Sequence, residues 1–150
     1  MKLCVGLFGT CGGSKWRDKF MECYKELGIP FFNPFKDDWS PEDAIVESEH
    51  LNSDKILLFP VLSGTYGTAS LAEIGMGVAN MLLDEKRQLV VYVVPEVDEG
   101  LKNNALAAKE SNNARKIVLA HLNKLKNNVP NLHVVNSLDE MLEVSCNLFT

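Results

Sequence analysis

Residues 88–94 read QLVVYVV, and no other segment indicates the architecture of the chain so clearly. Near-continuous β-branched residues suit a strand that is covered on both faces, as strands of parallel sheets are. Pro95 ends the run, because proline lacks the N–H group that the next ladder bond would need. A similar apolar run, KILLFPV at residues 55–61, predicts a second buried strand upstream.

Outward from these two runs, shorter strands are predicted at residues 2–8, 29–33 and 132–135. Apolar residues at helical spacing predict helices between them, and Ser137 with Glu140 forms a capping box for a last helix. The intervening helices are expected at residues 16–27, 41–52, 68–83 and 100–127. Five alternations of strand and helix predict an α/β fold with a five-stranded parallel sheet and helices on both faces. We expect the flavodoxin-like, Rossmann-like order 2-1-3-4-5.

The length and the net charge of the chain limit the number of its domains and the classes of molecule that it binds. A chain of 150 residues with 46% apolar side chains predicts one domain over residues 1–150. Its 15 basic and 20 acidic residues give a net charge of −5, which argues against a nucleic-acid polymer as partner. The apolar start, MKLCVGLFG, is too short for a signal segment or a membrane span, so no membrane partner and a cytoplasmic location are expected.

The cysteines and histidines predict neither a disulfide framework nor a metal site. No CxxC pair occurs, and the histidines at positions 50, 121 and 133 are too scattered to join a cysteine pair on one element. Cys4, Cys23 and Cys146 are expected to be buried free thiols. Cys11 differs, because it lies in a glycine-rich loop before a helix, where the helix N-terminus could lower its pKa. We expect no metal and no cofactor.

Ligands of such sheets bind beyond the carboxyl ends of the strands, which selects the loops after strands one, two, three and four, and the first three of these carry candidate residues. The first, GTCGGS at residues 9–14, is neither a Walker loop nor a GxGxxG motif. Its glycines allow close backbone approach, and the helix that follows favours an anion, although a tight structural turn explains the pattern as well. The candidate ligand-binding residues here are Gly9, Thr10, Gly12, Gly13 and Ser14.

The other two loops carry aromatic and acidic residues. In NPFKDDW, residues 33–39, the ring of a ligand could stack on Trp39 while Asn33, Asp37 or Asp38 binds the polar groups of that ligand. The alternative is that this segment is only a surface turn. In SGTYGTAS, residues 63–70, Gly67 and Ser70 lead into a helix that carries Glu73. The helix dipole alone can favour an acidic residue there. The glycines that follow also allow close packing, which suits a carboxylate held for covalent chemistry.

Four segments of the chain are similar to segments of a known family: GLFGTCGGSKWRDKF (6–20), FFNPFKDDW (31–39), SDKILLF (53–59) and GTASLAEIGMGVA (67–79). In this order they resemble the nucleoside 2-deoxyribosyltransferase superfamily, most closely its nucleoside 2-deoxyribosyltransferase-like branch. The resemblance implies an enzyme that cleaves or transfers the N-glycosidic bond of a 2′-deoxynucleoside or its 5′-monophosphate, with Glu73 attacking C1′. A second group must protonate or bind the departing base, and Asp38 is the first candidate, followed by Asp37 and Glu47. The resemblance also implies a homo-oligomer.

The chain departs from that superfamily at Gly67, where an aspartate is usual. Either Asp38 or a residue of the next helix replaces it, or the protein is a non-catalytic nucleotide-binding or sensor module. Ser14, Lys15 and Arg17 could bind a 5′-phosphate, although Lys15 and Arg17 could equally face solvent. The segment GTYGT before Glu73 is also similar, more weakly, to a loop of cytokinin-activating phosphoribohydrolases. A flavodoxin is less consistent with the first loop, which lacks a Ser/Thr-rich run.

Overall fold

A computed structural model describes residues 1–149 and forms one five-stranded, all-parallel sheet in the order β2-β1-β3-β4-β5. This confirms the predicted α/β class and strand order. The strands are β1 (Lys2–Leu7), β2 (Phe31–Phe32), β3 (Asp54–Val61), β4 (Gln88–Val93) and β5 (Leu132–Val134). The helices are α1 (Trp16–Leu27), α2 (Pro41–Ser53), α3 (Thr68–Leu83), α4 (Ala105–Leu125) and α5 (Leu138–Phe149).

The central strands bury both of their faces. On β3, Ile56 and Leu58 pack with α1 and α5, whereas Leu57 and Phe59 pack with α2, α3 and α4. Successive side chains of a strand point to opposite faces, so a strand between two helix layers must be apolar at every position. The continuous apolar runs in the sequence therefore have the predicted cause.

Local capping agrees with the sequence at the start of α2 and the end of α1, and in part at the start of α5. Ser40 precedes α2, and its N–H donates to Asp43 Oδ2 at 3.0 Å. Gly28 ends α1 in the left-handed conformation, with φ of 66°. At α5 the Glu140 N–H donates to Ser137 Oγ at 3.1 Å, but the Glu140 carboxylate accepts from the N–H of Asn136, one residue earlier than a capping box requires.

Two elements differ from the prediction. The helix expected at residues 100–127 is divided into a 3-10 helix, Glu99–Asn103, and α4. Asn104 separates them because its side chain accepts from the Ala107 N–H at 3.2 Å and so starts a new helix. The second strand is shorter than the expected residues 29–33, since Pro30 supplies only its carbonyl oxygen to the sheet, where it accepts from Val5 at 2.9 Å.

Within residues 1–149, no helix is both long enough and apolar enough to pass through a lipid bilayer.

Candidate functional site

A cavity of about 660 Å³ opens at the carboxyl ends of β1, β2 and β3. Its volume lies within the range of about 300–1,000 Å³ that is usual for small-molecule sites. The walls come from the loops after these three strands, from α2 and from the start of α3. The sequence-predicted site residues that line it are Gly9, Thr10, Trp39, Glu47, Gly67, Ser70 and Glu73.

Glu73 lies on α3 in the wall of this cavity and is half-buried. Burial raises the pKa of the Glu73 carboxyl, and the negative charge of Glu47 raises it further. Both effects disfavour the ionised form, because desolvation and a like charge each make a carboxylate less stable. The site therefore contains two acidic side chains from two different helices, and the charge of Glu47 disfavours ionisation of Glu73.

Glu47 is held by the loop that follows β2. The indole Nε1 of Trp39 donates to Glu47 Oε1 at 2.7 Å, which joins this loop to α2. The Trp39 side chain still exposes 54% of its surface, so most of its ring is free at the mouth of the cavity. An apolar ring beside an oriented carboxylate suits a planar ligand with a polar edge.

The first turn of α3 forms another part of the wall. Thr68, Ala69 and Ser70 line the cavity, and no side chain of the described residues caps this helix. Ser70 is only 5% exposed, and its hydroxyl makes no hydrogen bond within residues 1–149. Uncapped N–H groups at a helix start, with the positive end of the helix dipole, favour an anionic or oxygen-rich group.

The loop before α3 is fixed from behind by Arg115 of α4. This arginine is fully buried, and its guanidinium donates to Leu62 O at 3.0 Å and to Thr65 O at 2.6 Å. It also donates to Val94 O at 2.8 Å, which ties the loop to the end of β4. Burial lowers the pKa of Arg115. Hydrogen bonds from a charged donor are strong, so this loop is rigidly positioned.

Gly67 is required by the conformation of the same loop. Its φ is +67°, in the left-handed region that side chains disfavour. A Cβ atom at this position would also lie 2.7 Å from Cγ1 of Val61. The aspartate that the resembled superfamily has here therefore cannot be accommodated by this backbone without rearrangement.

Arg17 is a buried residue that supports the first loop. It is 4% exposed, so it does not face solvent. Its guanidinium donates to the carbonyl oxygens of Leu7 at 2.8 Å, Gly9 at 3.1 Å and Thr10 at 3.2 Å. With a further bond to Phe8 O at 3.2 Å, these bonds use four of its five N–H donors and hold the first loop in place, which is a structural role.

Several predicted residues lie outside the main cavity. Gly13, Ser14 and Asn33 line a separate cavity of about 340 Å³. Asp37 and Asp38 are exposed in the turn before Trp39 and line neither of these two cavities. Gly12 packs against the loop before α3, where an added Cβ would lie 2.0 Å from Thr65 Cγ2. Lys15 is exposed, as one of the two sequence interpretations expected.

Sequence reasoning missed some residues of the site and its support. Cys11, Phe35, Lys36, Thr65 and Met76 also line the cavity. Arg115 could have been found, because the buried positions of α4 are Ala108, Ser111, Arg115 and Leu122, at helical spacing. An arginine within an apolar stripe of this kind is a buried cation that needs acceptors.

The predicted burial of Cys4, Cys23 and Cys146 is confirmed for Cys4 alone. Cys4 is buried, whereas Cys11, Cys23 and Cys146 are half-buried, and none forms a disulfide among the described residues. Burial raises the pKa of Cys4 to about 12.

No model of a known protein family matches the sequence, and no curated protein is significantly similar to it. The function is therefore inferred from the geometry of the cavity and from the resemblance of the four segments quoted above.

Proposed function

We propose that the protein cleaves or transfers the N-glycosidic bond of a 2′-deoxynucleoside or its 5′-monophosphate, with Glu73 as nucleophile. One observation carries this proposal: Glu73 lines a cavity of about 660 Å³ together with a second carboxylate, Glu47, whose charge raises the pKa of Glu73. Paired carboxylates around one sugar-sized space are what glycosidic chemistry uses, because one attacks or stabilises C1′ while the other handles the proton.

In the proposed first step a carboxylate oxygen of Glu73 attacks C1′ of the sugar. The bond between C1′ and the base nitrogen breaks, its electron pair leaves with the base, and Glu47 supplies the proton that neutralises the base. Before substrate binds, the charge of Glu47 acts on Glu73, so in this proposal Glu47 takes up the proton from solvent as the substrate binds. The positive charge that develops on the sugar favours the ionised form of Glu73 as the reaction proceeds.

In the second step the glycosyl ester on Glu73 is broken. A water molecule or another base attacks C1′, its proton passes to the Glu47 carboxylate, and Glu73 is released as a carboxylate. A hydrolase results if water enters and a transferase if a second base excludes it. Asp38, the acid expected from the sequence, has no part in this proposal because it lies on the exposed turn outside the cavity.

The remaining walls support recognition of a nucleoside or nucleotide. The exposed ring of Trp39 can stack on a base, and such stacking tolerates any base. The first turn of α3, with the unpaired hydroxyl of Ser70, can bind the 5′-hydroxyl or 5′-phosphate. A net charge of −5 argues against binding of a nucleic-acid polymer but not against binding of a single nucleotide.

A substrate screen tests the proposal. The protein is incubated with 2′-deoxynucleosides and their 5′-monophosphates, with and without a second free base, and released or exchanged base is separated by chromatography. We expect Glu73→Gln to remove turnover by more than about a thousandfold. Glu49→Gln, which neutralises an exposed residue of α2, is the matched control and retains activity. Turnover that survives Glu73→Gln overturns the proposal.

A non-catalytic nucleotide-binding or sensor module is the second candidate, and Gly67 favours it. In this case the absent aspartate reflects a site that binds its ligand without reaction. Calorimetric titration distinguishes the two functions, because saturable nucleotide binding with no base release at high protein concentration supports the sensor alone.

The resemblance further suggests a homo-oligomer. Apolar side chains at the cavity mouth, Phe35 and Met76, are 46% and 57% exposed, which supports a partner surface nearby. Light scattering coupled to size-exclusion chromatography measures the assembly directly, and a monomer at all concentrations contradicts it.

A further inference from the structure

Three side chains with metal-binding groups meet at the amino end of the sheet, opposite to the cavity. Cys4 comes from β1, His50 from the last turn of α2 and Asp54 from the first position of β3. The Cys4 sulfur, a ring nitrogen of His50 and a carboxylate oxygen of Asp54 all lie within 4.8 Å of one another. The proposed glycosidic chemistry uses none of them.

Asp54 is the centre of this cluster and is unusually buried for a carboxylate. Its side chain has 0% exposure, and the side chain of His50 has 19%. His50 Nδ1 lies 2.9 Å from Oδ1 and 3.0 Å from Oδ2 of Asp54. Burial raises the pKa of Asp54. A buried carboxylate is costly unless its charge is compensated. Among the described residues the partners of Asp54 are the His50 ring and the Cys4 thiol, and no Lys or Arg forms an ion pair with it.

The three groups are held in place by their surroundings. The ring of Phe32 stacks on the His50 imidazole with centroids 3.7 Å apart and planes 3° from parallel. Arg87 donates to Asp54 O at 3.0 Å and to Leu51 O at 2.6 Å, which fixes the junction between α2 and β3. Gly6 leaves room for the carboxylate, because a Cβ there would lie 3.0 Å from Asp54 Oδ2.

We propose that Cys4, His50 and Asp54 bind one divalent metal ion of the zinc class, with a fourth coordination position for water. Thiolate, imidazole and carboxylate together suit Zn²⁺ or Co²⁺ and do not suit Mg²⁺ or Ca²⁺, which prefer oxygen alone. Tetrahedral coordination with bonds of about 2.0–2.3 Å places ligand atoms about 3.3–3.8 Å apart. His50 Nδ1 and Asp54 Oδ1, now 2.9 Å apart, need to separate by only a few tenths of an ångström.

Binding of the metal displaces protons. The Cys4 thiol becomes a thiolate and releases one proton, and His50 binds through Nδ1 in its neutral form. Metal and proton therefore compete at this sulfur. The bound ion would join β1, α2 and β3 at the amino end of the sheet.

Cobalt titration of the chelator-treated protein tests the proposal. We expect one equivalent of Co²⁺ to produce a thiolate-to-cobalt charge-transfer band in the near ultraviolet and tetrahedral bands in the visible, and Zn²⁺ to remove both. Cys4→Ser should abolish the charge-transfer band and weaken cobalt binding by at least about 10–100-fold. A loss of that size already follows when residues that only hydrogen-bond to metal ligands are substituted. Cys23→Ser, which removes another free thiol, is the control and keeps the full signal.

A second measurement keeps the test decisive if Cys4→Ser folds poorly. Asp54→Asn and His50→Gln keep the side-chain size, and circular dichroism establishes their folding. Zinc should raise the melting temperature of the natural sequence and of Cys23→Ser with increasing concentration, but not that of these two variants. Absence of the cobalt band in the natural sequence, or its persistence in Cys4→Ser, overturns the proposal. Unchanged cobalt affinity in folded His50→Gln overturns it as well.

Discussion

The indole N–H of Trp39 donates to a carboxylate oxygen of Glu47 at 2.7 Å, across eight positions of sequence. This bond links the loop after β2 to α2 and turns an aromatic ring and a carboxylate towards the same cavity. Glu73, on α3, lines the cavity with them. The proposed base-recognition and proton-transfer functions therefore depend on one hydrogen bond between two partly exposed side chains.

Trp39 should report ligand binding by fluorescence. Trp16 is 6% exposed and packs against Phe20, so ligand in the cavity reaches only the Trp39 ring. We expect 2′-deoxynucleotides to quench the emission of the natural sequence and to leave that of Trp39→Phe unchanged. Trp39→Ala should weaken binding by about 1–3 kcal/mol through lost stacking, and Trp39→Phe by less. Quenching that persists in Trp39→Phe would show that the ligand binds elsewhere.

The acidic limb of the pH profile should depend on Glu47. Glu73 must be ionised to attack C1′, so activity increases as pH rises through its pKa, which lies above the ordinary glutamate value of about 4.3. Glu47→Gln removes the repelling charge, lowers the pKa of Glu73 and moves this limb to lower pH. The same change removes the proton donor and should reduce kcat by about 10²–10⁴-fold.

The control for this profile is Glu49→Gln, on the same helix as Glu47 and exposed to solvent. Its acidic limb should coincide with that of the natural sequence when kcat/KM is measured against pH. An acidic limb that does not move in Glu47→Gln would mean that the two carboxylates do not interact during turnover.

Gly67 and Gly75 should respond oppositely to alanine. Gly67→Ala places a side chain at φ of +67° and 2.7 Å from Val61, so we expect a loss of at least about 1–3 kcal/mol in the free energy of unfolding. Gly75 lies exposed within α3 with nothing within 4 Å of an added Cβ. Gly75→Ala should therefore stabilise the protein by about 0.5–1 kcal/mol. Chemical denaturation measures both, and equal effects would contradict the loop conformation.

Arg115 should be essential for stability although it bears no proposed catalytic role. Arg115→Met leaves the buried carbonyl groups of Leu62, Thr65 and Val94 without their donor, and we expect a loss of about 2–4 kcal/mol. For a chain of this length the melting temperature should fall by roughly 4–16 °C. Arg115→Lys should recover little, because an ammonium group lacks the planar array of donors.

Lys116→Met provides the matched control for Arg115. Lys116 is the next residue of α4, is exposed and pairs with Glu96 at 3.4 Å on the surface. Surface pairs of this kind contribute little, so its removal should change stability by less than about 0.5 kcal/mol. Comparable losses from both variants in calorimetry would contradict the assigned role of Arg115.

The sheet and its strand order could be predicted because the relevant patterns are local. A strand with a continuous apolar run, such as residues 55–61, is buried on both faces only when it lies between two helix layers. The right-handedness of the crossovers then limits the order of the strands. The division of the fourth helix at Asn104 was not predicted, since a polar residue in a helical pattern is compatible with a solvated face as well as with a cap.

The amino-acid sequence alone was sufficient for the five parallel strands, for the helices apart from the division of the fourth, and for the loops that gather at the carboxyl ends of the strands. It could not distinguish Asp38 on an exposed turn from Glu47 in the cavity wall, because both are acidic residues near one strand end. Packing alone determines that Arg17 and Arg115 hold backbone carbonyls, and that Cys4, His50 and Asp54 meet. The physical reason is that burial and distance between residues remote in sequence arise only when the layers close on one another.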